Sequence, residues 1–461
     1  MTELVVYLLI ATLFFVLGIG RPKLAFLALV FLLPLSHEAI QTAIFGYRPE
    51  KMTPLLLTVA AGSLFIATFF RDTRLLAGSM HQTFHVLFPY LMFLMTAIAV
   101  NFAHNGFTHS VDLLDNYIGP MFLFLLTVGF FTSSPSMVPR CGRIILLIMV
   151  VGVLFSFYEY FTGSNPVMQP YMETVDPLLS DAGPGGRACS FFGHYLVTAS
   201  LFVFAMALAF ALIGNWWALL LAVWFYLGIA LTKSRAGLFV GAVLLVYGTT
   251  HLLARSGKRL NKKLAVAVAL LVLIPALLLL ADWLPKTTLF TAVVERFQTA
   301  PIQDRVEGLF SLQMGSWLGK GFGEGNRIAE QLGNVTGLEN PWAYLVQDFG
   351  FVGTLFYASA LISVLLTRNR CAVARSRPSE KGRVRVLKVF LFLQILMFST
   401  FNGFGNRANA NYIIWFLAAL VVARSRIGVD PSEQKKEPSA DPRQLAGGFL
   451  PEGPLGTEAD Y

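Results

Sequence analysis

The chain has 461 residues, 56% hydrophobic and 13% charged, with a formal net charge of +9 and a mean hydropathy of +0.64. A soluble domain carries about 25% charged residues, so a water-soluble globule is excluded. Apolar runs near 20 residues recur throughout and predict an all-α polytopic integral membrane protein. The basic residues sit in short connections between those runs, as the positive-inside rule expects, so the positive charge does not point to nucleic acid.

Candidate spans fall near 4–19, 24–40, 53–70, 83–102, 111–132, 144–161, 190–213, 216–232, 237–254, 264–284, 343–366, 389–405 and 411–423. That is about 12–13 spans, because the first two and the last are short or crowded. The first run lacks a basic leader and a small-residue cleavage site and reads as a retained span. Arg255, Lys258, Arg259, Lys262 and Lys263 lie together with no acid among them, and 367–388 is basic apart from Glu380. Placing both segments in the cytoplasm also puts 71–82 and 133–143, with their arginines, inside. The segments 162–189, 232–237 and 285–341 then face outward. Arg48 and Lys51 run against this count.

Four units follow: an N-terminal bundle over 1–284, a large, partly helical outer loop over 285–342, C-terminal helices over 343–423, and a polar tail over 424–461 that composition predicts to be disordered. Of Cys141, Cys189 and Cys371, Cys189 alone faces outward, so no outward disulfide forms within the chain, and no Cys/His metal spacing occurs.

Polar residues with chemical potential gather on the outer side. Arg187 ends the acidic-leaning 162–189 loop, and His194 follows in Phe192-Gly193-His194-Tyr195. Thr232-Lys233-Ser234-Arg235-Ala236-Gly237 joins two spans with almost no loop. Cations at an outward turn are not explained by the positive-inside rule. They either snorkel to lipid phosphates or, for Arg235, hold a phosphate with a planar guanidinium.

In the large loop, Asp304-Arg305-Val306-Glu307 has the form of a capping box opening a helix to about Trp317. Arg305 would sit in its first turn, where the helix favours an anion. Gly319-Lys320-Gly321-Phe322-Gly323 follows without the ending of a nucleotide P-loop and reads as a tight turn returning toward the membrane. Glu339 and Asn340 precede Pro341-Trp342 at the re-entry point. Asp348 lies further in. An acid kept at a membrane boundary is a functional candidate or the partner of an arginine. Glu339 could take a proton from a hydroxyl nucleophile, with His194 as an alternative. Arg407 stands among Asn406, Asn409 and Asn411 in a short outer turn that either hydrogen-bonds sugar hydroxyls or simply ends a helix.

Taken together, these residues resemble the O-antigen ligase and O-antigen polymerase superfamily of bacterial envelope-glycan enzymes. The likeness rests on the Ser234-Arg235-Ala236-Gly237 turn, on Arg305 followed by the glycine run, and on Glu339-Asn340 ahead of Asp348-Phe349-Gly350. It covers about 187–350, and the earlier spans match only as spans.

The resemblance implies a GT-C-like, multi-pass glycosyltransferase that acts without a metal cofactor on the periplasmic face. Its donor would be an oligosaccharide on undecaprenyl diphosphate and its acceptor a glycan hydroxyl. Arg235 and Arg305 would hold the diphosphate, and Glu339 would be the base. Arg187, His194, Lys233, Ser234, Asn340, Asp348 and Arg407 would line the substrate, and a chain-length regulator is an expected partner. Ligases of this group resemble one another in carrying a histidine near the position of Glu339. The acid found here points toward the polymerase, with a ligase to lipid A core or another terminal acceptor as the alternative. A flippase or transporter of lipid-linked sugars is a third reading. It predicts mid-span charges and broken helices, whereas the polar groups here gather at one face.

Overall fold

A computed structural model describes residues 2–35, 55–169, 186–193, 195–213, 216–255, 317–324, 341–367, 378–397 and 408–426. Among them every regular element is helical. In chain order they are α1 (Thr2–Gly20), α2 (Pro22–Leu32, extended by a 3₁₀ turn to Leu35), α3 (Leu55–Arg71), α4 (Thr73–Asn105), α5 (Ser110–Ser133), α6 (Met137–Thr162), α7 (Tyr195–Leu212), α8 (Trp216–Leu231), α9 (Arg235–Arg255), α10 (Pro341–Leu366), α11 (Pro378–Met397) and α12 (Ala408–Arg426). Five of them, α4, α5, α6, α7 and α10 from Tyr344, are long and apolar enough to cross a membrane. Shorter apolar helices include α1 to α3, α8, α9 and α12.

The helices begin and end where local chemistry allows. Asp72 caps α4 by accepting the Leu75 N–H at 3.1 Å, which offsets one of the orphan donors of a helix start. Gly163, with φ 67°, closes α6 and donates to the Glu159 carbonyl at 2.8 Å. At 33 residues, α4 is about 50 Å long and outruns a bilayer core of roughly 30 Å. It starts ten residues before the expected span at 83–102. Helix α6 starts seven residues before its expected span at 144–161, and α11, expected over 389–405, starts at Pro378 and is described to Met397. Arg383 and Arg385 lie in its first half, where long cationic side chains extend a helix into the aqueous boundary. The expected span at 264–284 lies outside the described residues.

At the centre, α7 is buried on nearly every side from Val197 to Ala211, and α12 is buried from Asn411 to Ala423. Helix α7 packs on α6, α8, α9 and α11, α12 on α5, and α4 on α10. Large apolar side chains on the outward surfaces, including Leu9, Phe84, Met95, Leu147 and Leu355, remain exposed. A surface so apolar is matched by lipid rather than water. Aromatic rings lock the crossing of α4, α5, α10 and α12: Phe93 lies 5.0 Å from both Tyr117 and Tyr357, and Tyr90 lies 4.4 Å from Trp415.

Candidate functional site

Three polar clusters stand out in this apolar frame. The first is built on Glu159, near the C-terminal end of α6 and 7% exposed. Its Oε2 accepts the backbone N–H groups of Cys189 at 2.9 Å and Ser190 at 2.7 Å. The Asn165 amide donates to the Ser190 carbonyl at 2.7 Å, and Thr198 donates to the Cys189 carbonyl at 2.5 Å. Ser190 takes φ 54°, and its hydroxyl donates to the Gly152 carbonyl at 2.8 Å. An irregular segment buried in a helical bundle has no water to satisfy its backbone. Here three side chains, Glu159, Asn165 and Thr198, do so.

That fixed loop reaches the 232–237 turn. Ala188 donates its N–H to the Leu231 carbonyl at 3.1 Å, and the Arg187 guanidinium lies 4.4 Å above the Tyr195 ring, a cation–π contact. In the turn, Lys233 adopts φ 52°. Ser234 Oγ accepts the Gly237 N–H at 3.2 Å, which makes Ser234 the N-cap of α9. Arg235 is therefore the first residue of the helix, as its sequence order predicts. A Cβ on Gly237 would lie 2.9 Å from Ala199 Cβ and 3.0 Å from Ile229 Cγ2, so only glycine lets α9 approach α7 and α8 this closely. The structure thus joins the backbone of the 187–190 loop to the end of α8, two residues before Lys233. Clustered cations at a helix N-terminus, where free N–H groups point outward, can bind an anion.

The second cluster joins the glycine run to α10. Helix α10 breaks at Gly350, with φ 70° and ψ −177°. The break frees backbone groups, and residues 317–321 pair with them: Lys320 N–H to Gln347 O at 3.0 Å, Gly321 N–H to Asp348 O at 2.8 Å, and Val352 N–H to Trp317 O at 3.2 Å. Gly319, Gly321 and Gly323 all have positive φ, so the run is the returning turn that its composition predicts. Asn101 and Asn105 of α4 hold its far side. Asn105 donates to the Phe322 carbonyl at 3.1 Å, and Asn101 Oδ1 accepts the Phe322 N–H at 3.3 Å. Asp348 is 6% exposed, about two turns inside the helix. On the rim, His109 Nδ1 and Asp112 Oδ2 pair at 2.9 Å.

The third cluster lies within the span α5, where Asp115 is 1% exposed. This residue lies five positions inside α5, at the end that the charge count places outward. Its Oδ1 accepts from the Thr58 hydroxyl, which pairs with the Tyr412 hydroxyl at 2.7 Å.

Arg305, Glu339, Asn340, His194 and Arg407 lie outside the described residues, as do the side chain of Arg235 and the helix expected from Asp304. Sequence reasoning missed Glu159, Asn165, Asn101, Asn105 and Asp115. A usable signal existed for Glu159, an acid at a span end with no basic residue three or four positions away. Among the described residues no three His, Cys, Asp or Glu side chains gather as a metal site of those ligands requires. No family model matches the chain, and no curated protein matches it.

Proposed function

We propose that the chain is a glycosyltransferase that polymerises oligosaccharide units carried on undecaprenyl diphosphate, working at the periplasmic face of the bacterial inner membrane. The observation that carries this reading is the Ala188–Leu231 junction. It ties the loop that carries Arg187 to the turn that carries Lys233 and the α9 start, two basic segments that the charge count places on the outer side.

In this reading Arg235 and Arg305 hold the donor diphosphate, with Arg187, Lys233 and Ser234 around it. Glu339 removes the proton from an acceptor sugar hydroxyl, and that oxygen attacks the anomeric carbon of the donor. The bond from that carbon to the diphosphate oxygen breaks, the electron pair leaves with the diphosphate, and the guanidinium groups neutralise the charge as it develops. Asn340, Asp348, His194 and Arg407 contact the sugars.

The test is complementation of a deletion strain with Arg235→Ala and Arg305→Ala, reading the length ladder of the surface glycan. Each variant is expected at normal membrane level with glycan assembly abolished. A full ladder from either overturns the diphosphate clamp. Single-unit products in the deletion strain identify a polymerase, and long unattached chains a ligase.

Export of lipid-linked sugars is a second reading, favoured by the break at Gly350 and the buried Asp115, since transporters use both features. Purified protein in detergent separates the two. Elongation of a lipid-linked unit there is transfer chemistry, because no compartment exists to transport across.

A further inference from the structure

The Asp115 cluster stands apart from the function proposed above. Helix α5 opens with one α-turn and then a π-turn from Leu114 to Ile118, a register change often found at functional sites. Within that turn Asp115 and Asn116 are 1% and 5% exposed. Asp115 Oδ1 is engaged by Thr58, but Asp115 Oδ2 and Asn116 Oδ1 have no hydrogen-bond partner. Among the described residues no lysine, arginine or histidine pairs with Asp115. Gly119 sits below, where a Cβ would overlap the Tyr412 hydroxyl and lie 2.7 Å from Thr58 Oγ1. Its missing side chain is what lets α3, α5 and α12 close around the carboxyl group.

An uncompensated carboxylate inside a low-dielectric bundle costs several kcal/mol, so the site requires a counter-charge. The unsatisfied atoms on this turn are both oxygens, and oxygen is the ligand atom of hard cations. One carboxylate balances one positive charge, and a divalent ion would leave an excess as costly as the original. A proton on Oδ2 would also serve the pair, with Oδ2 donating to Asn116 Oδ1, and the ion dependence of stability separates proton from cation. Asn411, beside Tyr412, turns Oδ1 to the Tyr357 hydroxyl at 3.0 Å and leaves Nδ2 without an acceptor, a place for a water of the ion's shell.

We propose that Asp115, with Thr58, Asn116 and Tyr412, binds one monovalent alkali cation, sodium or potassium, between α3, α5 and α12. The test is thermal unfolding of the full chain in detergent at fixed pH and ionic strength, in chlorides of sodium, potassium and N-methylglucamine. A saturable rise on the order of 2–4 °C is expected with one or both alkali ions and not with N-methylglucamine. Asp115→Asn is expected to abolish the rise. Should that variant not fold, Thr58→Val is expected to move the midpoint ion concentration up at least about fivefold, a loss of roughly 1 kcal/mol of binding. Identical melting of the unaltered protein in all three salts overturns the proposal and leaves a proton as the counter-charge. An ion effect that persists unchanged in every variant that folds also overturns it.

Discussion

The backbones of Gly319 and Gly350 touch. A Cβ on Gly350 would lie 2.5 Å from the Gly319 nitrogen, and one on Gly319 would lie 2.5 Å from the Asp348 carbonyl oxygen. Both residues have positive φ, 75° and 70°. The atoms in the way belong to backbone, which cannot rotate aside as a side chain can. Gly319→Ala and Gly350→Ala are each expected to destabilise the protein by about 2–5 kcal/mol, combining left-handed strain with overpacking. Gly78→Ala, with nothing within 4 Å of its Cβ, is the control and should be neutral or slightly stabilising. Melting temperature in detergent and protein level in the membrane report both.

Glu159→Ala would leave two buried backbone N–H groups, those of Cys189 and Ser190, without their acceptor. At about 1–3 kcal/mol for each unsatisfied donor, the loop should detach before the bundle unfolds. Cys189, 2% exposed, reports this directly. In a variant where it is the sole cysteine, its labelling by a membrane-impermeant maleimide should rise at least tenfold with Glu159→Ala. Glu159→Gln keeps a side-chain oxygen and should label close to the original rate. Unchanged labelling in Glu159→Ala would show that Asn165 and Thr198 hold the loop unaided.

The helices were legible because apolar runs of bilayer length have few other ways to fold, and the turn at Lys233 was legible because its signals are local. Ser234 caps, Gly237 admits a neighbouring helix, and both roles follow from their offsets to Arg235. The Glu159 cluster was not legible in the same way. The carboxylate meets N–H groups thirty residues along the chain, a pairing that depends on the path of the intervening loop. Gly350 was hidden for the opposite reason. No proline lies beside it, and what breaks the helix there is the docking of residues 317–321. Asp115 was read past because three polar residues near the start of a span, Asp112, Asp115 and Asn116, look like an ordinary helix end. The expected base at Glu339 and the expected arginine at Arg305 still rest on the sequence.

Lys233 offers a way to separate conformation from charge. Its φ of 52° costs a residue with a side chain about 1–2 kcal/mol relative to glycine, partly offset by the greater freedom of glycine in the unfolded chain. Lys233→Gly should therefore leave stability unchanged or raised by up to about 1 kcal/mol. If the cation contributes to diphosphate binding, the same variant should raise the KM for a lipid-linked donor severalfold with little change in kcat, the pattern of lost uniform binding. Lys233→Arg keeps the charge and should keep the KM. A Lys233→Gly enzyme with unchanged KM assigns the residue to lipid snorkelling alone.

Gly119 and Tyr412 form the tightest side-chain approach in the polar cluster between α3, α5 and α12, and the pair is suited to a double-mutant cycle. Gly119→Ala inserts a methyl group where the Tyr412 hydroxyl sits. It should push that ring away from Thr58 and break the 2.7 Å contact. The expected cost is about 2–4 kcal/mol from overpacking and the lost hydrogen bond together. Tyr412→Phe alone removes one hydrogen bond and should cost about 1 kcal/mol. In the double variant the hydroxyl that collides is gone, so the combined loss should be smaller than the sum of the single losses by about 1–2 kcal/mol. Strict additivity would mean that the Cβ collides mainly with Thr58 Oγ1, 2.7 Å away, and Gly119→Ala combined with Thr58→Ala would then show the coupling instead.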